Sequence, residues 1–218
     1  MKNELYILNV EYLYDDIKFR EKFNLLEKEK QENVMKNANL NDRVRALGKY
    51  LLLKRVFELH EIENHDIGYE EYGKPYMIHE DEFFYNISHS GEYVVCAVGN
   101  TPIGVDIQEW KAVKENVAKR FFSKEEIKQL NCCKPEQWES LFYRYWTAKE
   151  SYIKFTGLGM KQRLDSFQVE FDKQSIVDDN HQEKIHIKEY FCLENYSITA
   201  CSNSREFAKF VRKIFYRL

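Results

Sequence analysis

What the chain lacks narrows its class first. It has no basic surplus: Lys and Arg number 33 against 36 Asp and Glu, a formal charge of −3. A duplex-binding protein carries a clear basic excess, so nucleic acid is not an expected partner. No apolar run approaches the roughly 20 residues that span a bilayer. The opening Met-Lys-Asn-Glu-Leu-Tyr lacks the h-region of a signal peptide. A cytoplasmic protein with no membrane partner is expected. Cys96, Cys132, Cys133, Cys192 and Cys201 show no paired metal-ligand spacing, and the adjacent Cys132 and Cys133 suit neither zinc nor an easy disulfide. Reduced, structural thiols follow. Glycine (8) and proline (3) are scarce, and there is no long linker, low-complexity tract or short repeat.

Aromatic residues stand against these absences: 15 Tyr, 15 Phe and 3 Trp. That ring area builds a sizeable core and excludes disorder, although 32% of the residues are charged. The length allows one larger domain or two of roughly 100 residues each. Residues 5–12 read as a strand and 15–36 as charged helix with Phe19, Phe23 and Leu26 inward. A second helix, capped by Asn41 or Asp42, repeats Val44, Leu47, Leu51, Val56 and Leu59 at near-helical spacing. Its charges, Arg45 and Lys49 among them, fit a solvated face or a phosphate-binding edge. Strands are expected at 83–87, 93–98 and 103–108, and helix at 113–131, where Ser123 and Glu126 form a capping box. A long helix at 135–155, strands at 167–171, 185–191 and 196–201, and a basic tail helix at 204–218 complete the reading. Strand, helices and strands recur in each half, which fits an α+β fold of two lobes, residues 1–104 and 105–218.

Three clusters carry candidate chemistry. In Ile103-Gly-Val-Asp-Ile-Gln108, alternation sets Ile103, Val105 and Ile107 on one face and Asp106 and Gln108 on the other. Two such oxygens converge on a hard cation, or simply face water. In the long helix Leu141, Tyr145, Ala148, Tyr152 and Phe155 form an apolar stripe, with Trp146, Glu150 and Lys154 on a neighbouring face. A carboxylate flanked by Lys149 and Lys154 suits a metal ion with phosphates, or an ordinary surface ion pair. Phe84-Tyr-Asn-Ile-Ser-His-Ser-Gly91 ends in a small polar loop open to a ligand. Ser88 and His89 point apart on a strand, and the pattern G-x-S-x-G is missing, which argues against a hydrolase elbow.

Taken in order, Tyr72-Gly-Lys-Pro75, Phe84–Gly91, Ile103-Gly-Val-Asp-Ile107, Arg120-Phe-Phe-Ser-Lys124, Trp146-Thr-Ala-Lys-Glu-Ser151 with Lys154, and Leu164-Asp-Ser-Phe167 strongly resemble the 4′-phosphopantetheinyl transferases of the surfactin-synthetase-activating type. The resemblance implies a monomer of two similar α+β lobes in a pseudo-twofold relation, with the site in the cleft between them. It implies transfer of the phosphopantetheine arm of coenzyme A to a serine of an apo acyl or peptidyl carrier protein, with Mg²⁺, releasing adenosine 3′,5′-bisphosphate. The carriers of such enzymes serve peptide, polyketide or fatty-acid synthesis.

Carried over by position, Asp106 and Glu150 would hold the metal, with Gln108 doing so directly or through water where the best-known members have a second acid. Lys149 and Lys154 would face the pyrophosphate. Lys74, Ser88 and His89 would line the coenzyme A site, Gly73 and Pro75 would shape its adenine end, and Lys30 and Arg45 would meet the 3′-phosphate. Glu150 is the expected acceptor of the serine proton and Lys154 the expected partner of the leaving phosphate. Glu126 has the capping box as a sufficient role. For the acidic carrier surface, residues 113–130 with Lys119, Arg120, Phe121 and Phe122 are the first candidate. The segment 207–215 is the second.

Overall fold

Alternation along the first strand decides the layering of the molecule, a computed structural model that describes residues 2–216. In β1 (Glu4–Asn9), Tyr6 and Leu8 turn to one buried cluster while Leu5 and Ile7 turn to another. A single 3-10 turn leads into α1 (Asp16–Phe23), α2 (Lys28–Met35) and α3 (Leu40–Leu59). The hairpin β2 (Ile67–Tyr69) and β3 (Pro75–Met77) follows, then β4 (Phe84–Ser90) and β5 (Tyr93–Gly99). The second half runs β6 (Ile103–Glu109), α4 (Glu115–Phe121), α5 (Lys124–Cys132) and α6 (Trp138–Thr156). It continues through β7 (Gln168–Glu170), β8 (Ser175–Val177), β9 (Ile185–Glu189), β10 (Tyr196–Ser202) and β11 (Arg212–Ile214).

The strands form a sheet of order β11-β1-β5-β4, a sheet of order β6-β10-β9-β8-β7, and the separate β2-β3 hairpin. Leu5, Ile7, Val95 and Ala97 of the first sheet pack on Ile103, Val105, Ile107, Ile198 and Ala200 of the second. Helix α3 covers the outer face of the first sheet, and α6 lies on the second. The α+β class expected from the sequence is found.

Several boundaries differ from the sequence reading. The helix expected over 15–36 breaks at Asn24–Glu27, where the Gln31 amide donates to the freed carbonyls of Phe23 (3.2 Å) and Leu26 (2.9 Å). Asn39, not Asn41 or Asp42, caps α3, accepting from the Asp42 N–H at 2.9 Å. The helix expected over 113–131 is two. Phe122 is extended and drops into the core, and the capping box of Ser123 and Glu126 restarts the helix. The strand of 84–90 includes Ser88, His89 and Ser90, which had read as a loop.

The tail is corrected most. No helix forms within 204–216; residues 212–214 pair in parallel with β1, Tyr6 opposite Arg212 and Leu8 opposite Ile214. The bare edge of β1 offers a full row of hydrogen-bond partners, and this outweighs the tail's weak helical pattern. Residues 217 and 218 of that expectation lie outside the described residues.

Candidate functional site

The site begins with a glycine. A Cβ on Gly104 would overlap the Ser151 carbonyl and the Phe155 amide, so a side chain there would push α6 off β6. With glycine, helix backbone rests on strand backbone. The hydroxyls of Thr147 and Thr199 meet at 3.0 Å and tie the same helix to β10. This close approach carries Lys154 across to the polar face of β6. Its Nζ donates to Asp106 Oδ1 at 2.7 Å and to Ser88 Oγ at 2.9 Å, and the Ser88 hydroxyl donates to the same Oδ1 at 2.7 Å. Gln108 Nε2 donates to Asp106 Oδ2 at 3.0 Å. Asp106 is only 2% exposed and Lys154 28%, so the pair lies at the mouth of a cleft.

Side chains also suture the two sheets here. Asn86, Ser88 and Ser90 share one face of β4. Asn86 Oδ1 accepts from the Val105 N–H at 2.9 Å, and Ser90 Oγ from the Glu109 N–H at 3.0 Å. The edge donors of β6 are thus met by side chains rather than by another strand. Neither Asn86 nor Ser90 was singled out in the sequence, although their period of two was readable.

Burial, and then the charge of Asp106, hold the Glu150 carboxyl above its ordinary pKa, with Lys154 pulling partly the other way. Asp106 and Glu150 form a pair rather than part of a triad: among the described residues no three His, Cys, Asp or Glu cluster for a metal. Two carboxylates and an amide, all hard oxygen donors, fit Mg²⁺ and leave positions for phosphate and water.

His89 faces the opposite way from Ser88. Although His89 is exposed, partial loss of hydration and then the cations Lys49, Arg45 and Lys154 push the imidazole down to about 4. Arg45 is held by Asp42 at 2.5 Å, and burial lowers the Lys49 ammonium. Lys49 was read in the sequence only as one charge on a helix face. Lys30 of α2 pairs with Glu27, the residue just before that helix, at 3.2 Å. Gly73 takes φ +84° in the turn between β2 and β3, and Pro75 begins β3. Lys74 between them donates to the Phe155 carbonyl at 2.6 Å, binding this hairpin to the C-terminal end of α6.

Lys149 corrects an expectation. Its ammonium is wholly buried, with Glu126 at 2.9 Å and the carbonyls of Leu164 and Phe167 at 2.8 Å each, so all three donors are used among α5, α6 and the segment after α6. It does not face the cleft. Glu126 is equally sealed, accepting also from the N–H groups of Ser123 (2.8 Å) and Val169 (2.9 Å). The two phenylalanines of the candidate carrier surface separate likewise. Phe122 belongs to the core, whereas Phe121 stands edge-on to Trp146 in a cavity of about 770 Å³ that also takes in Glu150 and Lys154.

Known proteins are similar to this chain in sequence. The 4′-phosphopantetheinyl transferase superfamily matches residues 102–201, and the N-terminal region of 4′-phosphopantetheinyl transferases matches residues 15–101. The 4′-phosphopantetheinyl transferase Sfp of Bacillus subtilis (strain 168) is 33% identical over 86% of this chain and 87% of its own. The 4′-phosphopantetheinyl transferase gsp of Aneurinibacillus migulanus is 35% identical over 80% and 75%. A further Bacillus subtilis 4′-phosphopantetheinyl transferase is 40% identical over 64% of each chain. The cluster on β4, β6 and α6 falls inside these matches, and the chain belongs to the 4′-phosphopantetheinyl transferase superfamily.

Proposed function

We propose that the chain transfers the 4′-phosphopantetheine group of coenzyme A to a serine of an apo acyl or peptidyl carrier domain, releasing adenosine 3′,5′-bisphosphate. The observation that carries this reading is the meeting of Asp106, Glu150, Lys154 and Ser88 where the two sheets join. The serine oxygen attacks the β-phosphorus of coenzyme A. The bond from that phosphorus to the bridging oxygen breaks, and its electron pair leaves with adenosine 3′,5′-bisphosphate. Such a reaction asks for alignment and charge neutralisation more than for covalent help.

Glu150, beside Lys154 in the same cavity, takes the serine proton. Lys154 neutralises the charge growing on the leaving phosphate. Asp106, Glu150 and the Gln108 carbonyl, directly or through water, would hold Mg²⁺, which would supply positive charge to the pyrophosphate. Arg45 and Lys49, with the uncharged His89 imidazole beside them, give the other end of the nucleotide a cationic rim. Gly73, Lys74 and Pro75 bound its adenine side.

The carrier docks beside Phe121, where the exposed Lys119 and Arg120 meet its acidic surface. Reversing both charges should raise the carrier KM and leave coenzyme A binding unchanged. The decisive experiment incubates the protein with coenzyme A, Mg²⁺ and a panel of apo carriers and weighs the products. One added phosphopantetheine per carrier is expected, and no gain on any acyl or peptidyl carrier would overturn the reading.

A further inference from the structure

Residues 158–166 cross over α6 as a strap and form the outer wall of the cavity that holds Glu150 and Lys154. Apart from two short 3-10 turns the strap belongs to no sheet or helix. Its backbone bonds are local: the N–H of Lys161 to Leu158, of Gln162 to Gly159, of Ser166 to Arg163. Side chains must therefore decide where it sits. One anchor is the sealed Lys149, which grips the Leu164 carbonyl.

The other anchor is a chain of polar groups. Thr156 Oγ1 donates to Gln162 Oε1 at 2.8 Å, and Gln162 Nε2 donates to Asp178 Oδ2 at 2.9 Å. The Tyr152 hydroxyl donates to the same oxygen at 2.9 Å, while Asp178 Oδ1 accepts from the Asn180 N–H at 2.9 Å. Gln162 thus shows one side to the cavity and uses both ends of its amide behind it. Tyr152 belongs to α6, two residues beyond Glu150, so the helix that presents the acid also fixes the wall facing it.

We propose that Gln162 and Asp178 are positioning residues for the carrier: they hold the strap at a fixed distance from Phe121 and Trp146 and so set the width of the groove that receives the serine-bearing segment. This rests on the transferase reading above. Neither residue touches the Asp106 cluster, so coenzyme A binding should not depend on them.

The test measures transfer by Gln162→Ala, Asp178→Ala and the double variant, together with hydrogen exchange of the amides of residues 158–166. Each single variant should raise the carrier KM about tenfold, the loss of one hydrogen bond to a charged group. The KM for coenzyme A and kcat should stay within about twofold of wild type. Because the two act as one link, the double variant should be no worse than either single one. Exchange across 158–166 should rise in all three. A carrier KM that stays put while exchange rises would overturn the positioning role. Unchanged exchange would overturn the anchor itself, and additive effects would overturn the link. If wild-type protein modifies no carrier, the transferase reading falls and takes the carrier role with it, while exchange still reports separately on the anchor.

Discussion

Two lysine–carboxylate pairs leave α6 five residues apart, and they differ in what they leave unused. Lys149 and Glu126 are each 0% exposed and lie 2.9 Å apart, with every remaining donor and acceptor matched by backbone. Lys154 and Asp106 are closer still, at 2.7 Å, but the ammonium reaches solvent and a second carboxylate, Glu150, crowds the pair. The first pair joins α5, α6 and the strap; taking on a ligand would mean dismantling it. The second is held by groups that an anion or a cation can replace. Proximity to the signature helix does not make a lysine part of the chemistry. The difference lies in whether its partners can be exchanged.

The sharpest way to break this contrast is Lys149→Met. It strands a buried Glu126 and should cost about 3–5 kcal/mol, read as a fall in denaturation midpoint. Adding Glu126→Gln should restore much of it. Lys154→Met should cost less stability, because Ser88 and Gln108 still donate to Asp106, yet transfer should be lost. Should Lys154→Met prove the more destabilising, the assignment of structural and functional pairs would reverse.

Next in size is Glu150→Gln, which keeps shape but removes both charge and base. Transfer should fall roughly 10²–10³-fold at saturating Mg²⁺. Its Tm should hold or rise above pH 7, because a carboxyl whose pKa is raised on folding gives up stability when it ionises. Wild-type transfer by this variant would remove Glu150 from the chemistry.

Gly104→Ala tests how the helix is seated. Its methyl meets the backbone of Ser151 and Phe155, so a loss of about 1–3 kcal/mol is expected together with reduced transfer. Alanine at neighbouring Val105 should lose stability only.

The smallest effect concerns His89. Its folded pKa lies near 4 against an ordinary 6.5, so between those values the unfolded chain binds more protons. Stability should therefore be complete above about pH 6.5 and decline as pH falls towards 4. His89→Gln should flatten that slope, measured as denaturation midpoint against pH. An anion bound at the rim should move the imidazole resonance of the wild type towards a higher pKa.

Much of this was legible in the sequence, for identifiable reasons. The stripe of Tyr145, Ala148, Tyr152 and Phe155 is buried as its spacing predicts, and Trp146, Glu150 and Lys154 share a cavity as i, i+4, i+8 requires. The capping box of Ser123 and Glu126 forms as read. Lys149 was misjudged because sequence adjacency to Glu150 hides a turn of about 100° around the helix, enough to point the two side chains into different environments. The tail was misjudged because a strand's fate depends on a partner two hundred or so residues away, beyond any local pattern. The strap's anchor was invisible for a similar reason: nothing in Gln162 or Asp178 alone says that they meet.

That distant partner has a consequence for how the chain is made. Tyr6 pairs with Arg212, so one side of β1 stays uncovered until a segment about two hundred residues further on has been made. The nascent chain must carry an apolar strand with an open edge while the hydrophobic clusters are assembling, a state prone to mispairing with neighbouring copies. Pairing over such a separation also closes late, since the loop entropy is met only once the hydrophobic clusters have drawn the partners together. β1, made before every other strand described, is thus among the last of them to be completed. Its second edge is a checkpoint that is passed only once residues 212–214 have been made and brought back to it.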